Sequence, residues 1–267
     1  MTASDPWERL RRFTTARIAL GRTGGSLPTR AQLEFQLAHA RARDAVHHAV
    51  DFERLAEQLT LCTGLDTRTL TSAASDRQQF LLRPDLGRRL TAASGEIVDA
   101  VEQSAASPAS IALVIGDGLS GFAVERHAPA LIEGLLPRLT DLGLSLSPLL
   151  LVRNARVAIQ DDIGSRLGAR LALMFIGERP GLGVPDSLAV YFTWAPRPGR
   201  SDAERNCVSN IRTDGLAPHR AADRVAYLVE AAFRRQLSGV QLKDDSLLQG
   251  SVTSDRSKST PPDLPNS

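Results

Sequence analysis

The stretch IALVIGDGLSG, residues 111–121, decides the fold that this sequence predicts. A continuous apolar run, a Gly-Asp-Gly turn and the start of a helical segment follow one another without a break. An apolar run without polar alternation is typical of a strand that is buried on both faces of a parallel sheet. Three further runs of this kind follow along the chain, at residues 149–152, 171–176 and 189–194.

Helical stretches lie between and after these runs, at residues 119–139, 162–167 and 217–237. Strands that alternate with helices predict an α/β fold, here a Rossmann-like, mainly parallel sheet with helices on both faces. We place this domain at residues 106–246. Residues 1–105 are predicted to form a helical N-terminal region. Residues 247–267 are rich in Ser, Thr and Pro, which predicts a disordered tail.

Two helices are expected early in the N-terminal region, at residues 30–47 and 51–61. Thr29 and Gln32 have the spacing of a capping box at the start of the first helix. This helix carries a thin apolar stripe among many Arg and His side chains. It is therefore either a solvated surface helix or a helix that packs against a partner chain, where Arg is favoured.

The composition excludes several classes of protein. Hydrophobic residues make up 42% of the 267, enough for a core, and the net charge of +2 gives no uniform field for nucleic acid. Two Cys and five His without metal-ligand spacing argue against a zinc site and a disulfide framework. No apolar run is long enough to span a membrane, and the first residues lack a secretory signal, so we expect a cytoplasmic protein. Of the 32 basic residues 30 are Arg, a bias that codon usage explains as readily as function.

The segment Gly116–Gly121 matches the G-x-G-x-x-G pattern of dinucleotide-binding proteins. That fingerprint also requires an acidic residue at the end of the next strand, about 20 residues on. Here the next apolar run ends at Val152, about 35 residues on, and Arg153 and Asn154 follow it. We therefore interpret the glycines as permitting a tight turn and Asp117 as a ligand or helix cap, and keep a nucleotide-binding enzyme as an alternative.

Polar loops follow each of the four apolar runs. They begin with Asp117, Arg153, Glu178 and Ala195. In an open parallel sheet such loops meet at the carboxyl edge, where ligands bind. A capping box at 201–204 predicts a helix that carries Asn206 and Cys207. No Ser–His–Asp set or carboxylate pair is evident, so this edge is expected to be a binding surface.

Four segments then resemble the small subunit of ethanolamine ammonia-lyase, over about residues 7–245. They are FTTARIALGRTGGSLPTRAQLEFQLAHARARDAVH (13–47), DGLS (117–120), IGERPGLGVPDSLAVYFTWAPRPGRSDAERNCVSNIR (176–212) and SGVQLKDD (238–245). The third is long and highly specific to that family. The resemblance implies an adenosylcobalamin-dependent lyase that converts ethanolamine to acetaldehyde and ammonia, with this chain as the light subunit.

The resemblance also implies partners and site residues. The catalytic large subunit would assemble with this chain as six large and six small chains, with part of the cobalamin held at their interface. Matching motif positions make Val157 in RNARVA, Glu178 in IGERPG and Cys207 in AERNCVSN the cobalamin contacts. The chain would carry no catalytic residue and no metal ligand, and the cofactor would keep its own benzimidazole on cobalt, because Asp-x-His-x-x-Gly is absent.

Two expectations stay open at this point. Some relatives reach a bacterial microcompartment through an N-terminal extension, and the family match here begins by about residue 7, so encapsulation is an open alternative to a free cytoplasmic complex. A scaffold subunit that stabilises its partner without touching the cofactor is the other alternative to the cobalamin-binding role.

Overall fold

The computed structural model describes residues 7–14, 16–106 and 108–245, and the predicted tail at 247–267 lies outside them. Its centre is one six-stranded sheet in the order β1-β3-β2-β4-β5-β6. The strands are β1 Thr67–Thr71, β2 Ile111–Gly116, β3 Leu146–Arg153, β4 Leu171–Gly177, β5 Leu188–Trp194 and β6 Arg205–Ile211. The four predicted apolar strands are all present.

The expected α/β fold is confirmed, and the sheet is mixed. Strands β1, β3, β2 and β4 are parallel, whereas β5 is antiparallel to β4 and β6 is antiparallel to β5. Residues 178–187 alone connect β4 to β5. That is too short for the crossover that a parallel connection requires, so the chain turns back and β5 runs the other way.

Helices cover both faces of the sheet. One face packs its large aliphatic side chains against α2, α5 and α7, and the other packs smaller ones against α4 and α6. The helices are α1 Thr29–His47, α2 Phe52–Thr63, α3 Arg77–Leu82, α4 Ala92–Ser104, α5 Gly121–Asp141, α6 Ile159–Arg166 and α7 Pro218–Arg235. Short 3-10 turns add Glu8–Phe13, Leu86–Arg88 and Asp202–Glu204.

The N-terminal region is helical as predicted, with one exception. Residues Thr67–Thr71 form β1, an edge strand that pairs in parallel with β3. In the sequence TRTLT only Leu70 is buried, and its neighbours in the strand are exposed or half-buried. The strand therefore has no apolar run by which the sequence would predict it. Because β1 belongs to the common sheet, the domain boundary at residue 105 stays a prediction.

Two capping boxes turn out differently from the sequence interpretation. Helix α1 begins at Thr29 itself, after Pro28, and no side chain caps it, so the capping box of Thr29 with Gln32 is wrong. The box of Ser201 with Glu204 is present, but it closes only one 3-10 turn. The chain then enters β6, because antiparallel pairing with β5 overrides the local helix signal.

Within the described part of the chain, no helix combines the length and the apolar character that crossing a membrane requires.

Candidate functional site

The glycines of the 116–121 turn are required by close packing. A Cβ on Gly118, whose φ is +58°, would lie 2.2 Å from the carbonyl oxygen of Gly177. A Cβ on Gly121 would meet Val50 at 2.8 Å, and one on Gly116 would meet Ala155 at 2.6 Å. Contacts within the protein itself therefore require these glycines, which supports their interpretation as turn residues.

Asp117 ties the loop after β2 to the loop after β3. Its carboxylate accepts hydrogen bonds from the backbone N–H groups of Asn154 at 3.0 Å and Ala155 at 2.9 Å. Asn154 has a φ of +56°, where the chain leaves β3 and turns towards α6. Val157 follows on this fixed turn, half-buried against the apolar cluster under α6. The structure thus places Val157 at the carboxyl edge of the sheet, as predicted.

Glu178 follows β4 at the same edge, and two elements hold it. Its Oε2 accepts from the backbone N–H of Asn210 at 2.9 Å and from the hydroxyl of Ser187. Its own backbone N–H donates to the carbonyl of Ser187 at 2.8 Å. Within the described residues, Oε1 has no hydrogen-bond partner. The carboxylate is therefore rigidly oriented and keeps one oxygen available as an acceptor.

Cys207 is not on a helix after a loop, as the sequence suggested, but in the middle of β6. It lies directly opposite Tyr191 of β5, and Tyr191 lies opposite Met174 of β4. Residues directly opposite on antiparallel strands place their side chains on one face of the sheet. Cys207 therefore lies on the face that α4 and α6 cover further along the sheet.

The Cys207 thiol is a neutral group. The residue is exposed overall, but desolvation of the thiol by its neighbours raises its pKa to about 11. A hydrogen bond from Tyr191 lowers that pKa and the charge of Glu178 raises it. A thiol that ionises this reluctantly is a poor nucleophile near neutral pH. Its chemistry suits packing against a ligand, not covalent catalysis.

Sequence reasoning missed Tyr191, which joins the predicted site residues. Desolvation first, then the charge of Cys207 and their shared hydrogen bond, raises the pKa of Tyr191. Tyr191 and Val157 both pack against the same apolar cluster, and Glu178 acts electrostatically on Tyr191 and Cys207. The only signal in the sequence is that Tyr191 interrupts the apolar run of β5. The structure thus links Glu178, Tyr191 and Cys207 electrostatically, and Val157 lies after β3 against the same apolar cluster as Tyr191.

A second group of polar side chains surrounds Asp117 at this edge. Arg77 of α3 donates from Nη1 to the carbonyl of Gly118 at 2.8 Å and lies 3.4 Å from the Asp117 carboxylate. The guanidinium groups of Arg77 and Arg156 lie over the ring of Phe80, at 4.7 and 4.2 Å from its centroid. Desolvation lowers the pKa of both arginines. This edge is therefore basic.

The fourth predicted loop lies elsewhere. Because β5 is antiparallel, residues 195–200 leave it at the opposite edge of the sheet, so the expectation of four loops at one edge is wrong. Arg205 there forms a bidentate ion pair with Asp161, with both distances 2.6 Å and both side chains no more than 3% exposed. Arg205 therefore stabilises the fold.

A groove lies between the N-terminal region and the loop that follows Glu178. One side is lined by Leu37, Ala38 and Arg41 of α1. The other is lined by residues of the loop, Gly181, Leu182, Gly183 and Pro185. Arg17 crosses to donate to the carbonyl of Leu182 at 3.4 Å. Helix α1 buries only Ala38 and Ala45, and leaves several large apolar side chains exposed. They are Leu33, Phe35 and Leu37.

The described residues contain no group of three or more His, Cys, Asp or Glu side chains that could hold a metal ion.

Comparison with known proteins places these features in a family. The family model described as ethanolamine ammonia-lyase light chain (EutC) matches residues 4–243. A curated relative from Ralstonia nicotianae is 54% identical over 242 residues, 90% of this chain and 88% of the relative. Another from Pseudomonas putida (strain GB-1) is 52% identical over 245 residues, 92% of this chain and 90% of the relative.

A third relative, from Pseudomonas aeruginosa (strain LESB58), is 52% identical over 251 residues, 93% of this chain and 90% of the relative. All three relatives are named ethanolamine ammonia-lyase small subunit. The matched residues include the segments that carry Val157, Glu178 and Cys207.

Proposed function

This chain belongs to the ethanolamine ammonia-lyase light-chain family, and from that membership we propose that it holds part of adenosylcobalamin at its interface with a large catalytic subunit. The complex would convert ethanolamine to acetaldehyde and ammonia. The observation that carries the cofactor role is the carboxylate of Glu178. One of its oxygens is fixed by two donors and the other is available at the edge of the sheet.

The chemistry of the residues that we propose as cobalamin contacts suits a corrin. A corrin is a large apolar ring bordered by carboxamides, so it requires hydrogen-bond acceptors, donors and apolar contact. Glu178 Oε1 would accept from a corrin amide N–H, because Ser187 and Asn210 already occupy Oε2. Val157 would pack on the ring periphery. Cys207 and Tyr191 would offer a neutral, soft surface where β6 pairs with β5.

When bound, the cofactor supplies the radical chemistry of the reaction. This chain's own residues would bind, orient and shield it from water, and the large subunit would carry the catalytic groups. Fixing Glu178 from two elements limits the motion of its carboxylate, which is the property that an orienting contact needs. The asymmetry of the carboxylate therefore supports a binding role over a proton-transfer role.

The large subunit would cover α1 as well as the cofactor edge. The exposed apolar side chains of α1 form a surface that is unusual on an isolated chain. The groove joins this surface to the segment after Glu178. One partner could therefore bury both the α1 surface and the cofactor edge. From the family resemblance we also propose an assembly of six large and six small chains.

Reconstitution tests this proposal. The light chain is combined with a large subunit of the family, and adenosylcobalamin-dependent acetaldehyde release and equilibrium binding of adenosylcobalamin are measured. We expect both to require the light chain. A large subunit that binds the cofactor and turns over equally well alone would contradict the proposal.

Two further measurements separate the alternatives. Calorimetry of the light chain with NAD, NADP and ATP would reveal a nucleotide-binding enzyme by micromolar binding of one of them. A scaffold subunit would restore the stability of the large chain, yet its Glu178→Ala variant would bind the cofactor as the wild type does.

A further inference from the structure

Arg156 lies among the charges of three other arginines, Arg77, Arg88 and Arg179. Arg156 precedes Val157 and Arg179 follows Glu178. The guanidinium groups of Arg77 and Arg156 both lie over the ring of Phe80. The backbone N–H of Arg156 donates to Gly87 at 2.7 Å, which brings the turn containing Arg88 onto the same loop. Asp117 is the carboxylate paired with Arg77, and its charge also acts on Arg156.

The positive charge of this group is not balanced within the part of the chain that the structure describes. Only Arg77 has an ion pair, with Asp117, and no carboxylate lies within ion-pair distance of Arg88, Arg156 or Arg179. After desolvation, the charges of Arg77, Arg88 and Arg179 lower the pKa of Arg156, and Asp117 alone opposes them. Four positive charges near one another with a single counter-ion repel each other, and a bound anion would relieve that repulsion.

Arginine nitrogens without a hydrogen-bond acceptor also indicate a missing anion. Arg77 Nη2 and Arg156 Nε are buried and lack a hydrogen-bond partner. The side chains cannot simply swing away, because Arg77 also donates to the carbonyls of Val46 and Gly118, and Arg156 donates to the carbonyl of Phe80. These bonds hold the charges at the edge of the sheet, where a ligand of opposite charge would complete the network.

Resting on the function proposed above, we propose that Arg88, Arg156 and Arg179, backed by Arg77, bind the phosphodiester of the cofactor's nucleotide loop. The peripheral carboxamides of a cobalamin are neutral, and the phosphodiester is the anionic group at its periphery. Arg recognises phosphate oxygens by charge-assisted hydrogen bonds that can be bidentate. The cluster lies beside the residues proposed to hold the corrin, as one ligand with both groups would require.

The test compares two corrinoids on the reconstituted complex of light and large chains. Adenosylcobalamin carries the phosphodiester, and adenosylcobinamide lacks the whole nucleotide loop. Equilibrium binding of each is followed by absorbance for the wild type, Arg156→Gln and Arg179→Gln. Arg179 is exposed, so its variant remains informative if the Arg156 variant folds poorly. Arg197→Gln is the matched control, because Arg197 is exposed on the loop at the opposite edge.

We expect either substitution to weaken adenosylcobalamin binding about tenfold, the loss of one charge-assisted contact, and to change adenosylcobinamide binding less than about twofold. Millimolar inorganic phosphate should compete with adenosylcobalamin and not with adenosylcobinamide. The Arg197 variant should bind both corrinoids as the wild type does.

Equal losses for both corrinoids, or no loss for either, would overturn the proposal. Loss of complex assembly without a change in corrinoid preference would assign the cluster to an acidic segment of the large chain instead. Phosphate binding that leaves both corrinoids unaffected would make the cluster a site for the free ion. If the wild-type complex binds adenosylcobalamin no better than the large chain alone, the proposed function itself fails.

Discussion

The carboxylate of Asp117, after β2, accepts a hydrogen bond of 2.9 Å from the backbone N–H of Ala155, after β3. The bond joins the turn at the start of α5 to the turn at the start of α6. It fixes the loop that presents Arg156 and Val157, and the same carboxylate is the counter-charge of Arg77. One buried acid thus organises the edge at which the cofactor is proposed to bind.

The first prediction concerns this acid. Asp117→Asn keeps the size of the side chain but leaves the buried charge of Arg77 uncompensated and turns an amide donor towards a backbone N–H. We expect the free energy of unfolding to fall by about 3 kcal/mol, measured by urea denaturation of the full light chain. Asp66→Asn, at an exposed side chain 74% accessible, is the control. A change below about 1 kcal/mol at Asp117 would contradict the organising role.

Glu178→Ala should weaken cofactor binding without weakening assembly. It removes a proposed acceptor for a corrin amide, which costs about 1–3 kcal/mol, equivalent to a 5- to 150-fold rise in the dissociation constant. Equilibrium binding of adenosylcobalamin to the reconstituted complex measures it. Glu57→Ala, on an exposed position of α2 on the other face of the sheet, should leave binding unchanged. Equal affinities for the wild type and the Glu178 variant would favour the scaffold alternative.

Cys207 should react with iodoacetamide slowly, and faster as the pH rises. With a pKa of about 11, it is mostly the unreactive thiol between about pH 8 and pH 10, so the rate should increase about tenfold per pH unit. The measurement uses the Cys62→Ser chain, in which Cys207 is the remaining cysteine. A rate that levels off near pH 9 would show an unperturbed thiol.

Two further alkylation experiments test the surroundings of Cys207. Tyr191→Phe removes the hydrogen bond that lowers the pKa of Cys207, so alkylation at a given pH should become slower still. In the reconstituted complex, adenosylcobalamin should protect Cys207 from alkylation, because the cofactor would cover the thiol. Unchanged reactivity in the saturated complex would place Cys207 outside the cofactor site.

The ion pair of Arg205 with Asp161 should stabilise the fold without a role in binding. Arg205→Ala leaves a buried carboxylate unpaired and should lower the free energy of unfolding by about 3–5 kcal/mol. Arg205→Met combined with Asp161→Leu should recover most of that loss, as a double-mutant cycle would show. Arg30→Ala breaks an exposed pair with Glu34 and should cost less than about 0.5 kcal/mol. Additive losses at Arg205 and Asp161 would contradict direct coupling.

Helix α1 should be required for assembly. Leu33→Asp with Leu37→Asp places two charges on the exposed apolar stripe, and we expect binding to the large subunit to weaken at least about tenfold while the isolated chain keeps its circular dichroism spectrum. Size-exclusion chromatography of the mixed subunits measures the effect. Leu61→Asp changes a leucine that is 87% exposed on α2 and serves as the control. Normal assembly of the double variant would place the interface elsewhere.

Local patterns predicted much of the fold. The four apolar strands and the long helices α5 and α7 appear near the expected residues, because buried runs and helical periodicity are properties of the sequence itself. Strand direction is not such a property. The antiparallel course of β5 depends on how β4 and β5 pair, and β1 was missed because an edge strand needs little apolar sequence.

The candidate site shows the same division. Val157 and Glu178 were identified from family motifs and lie at the predicted edge. The prediction of a helix at Cys207 was wrong. A capping box reports only on the next few residues, whereas β6 forms by pairing with another strand, β5. Tyr191, and the hold of Ser187 and Asn210 on Glu178, come from contacts between separate strands that no local pattern records.

The approach of Gly118 to Gly177 has a consequence for how this protein can be changed. A Cβ on Gly118 would lie 2.2 Å from the Gly177 oxygen, and a Cβ on Gly177 would lie 2.0 Å from the Ser120 oxygen. Both obstacles are backbone atoms, so shrinking a neighbouring side chain cannot rescue a substitution at either glycine. Laboratory evolution of cofactor preference should find these two sites intolerant, and successful libraries will vary the side chains around them.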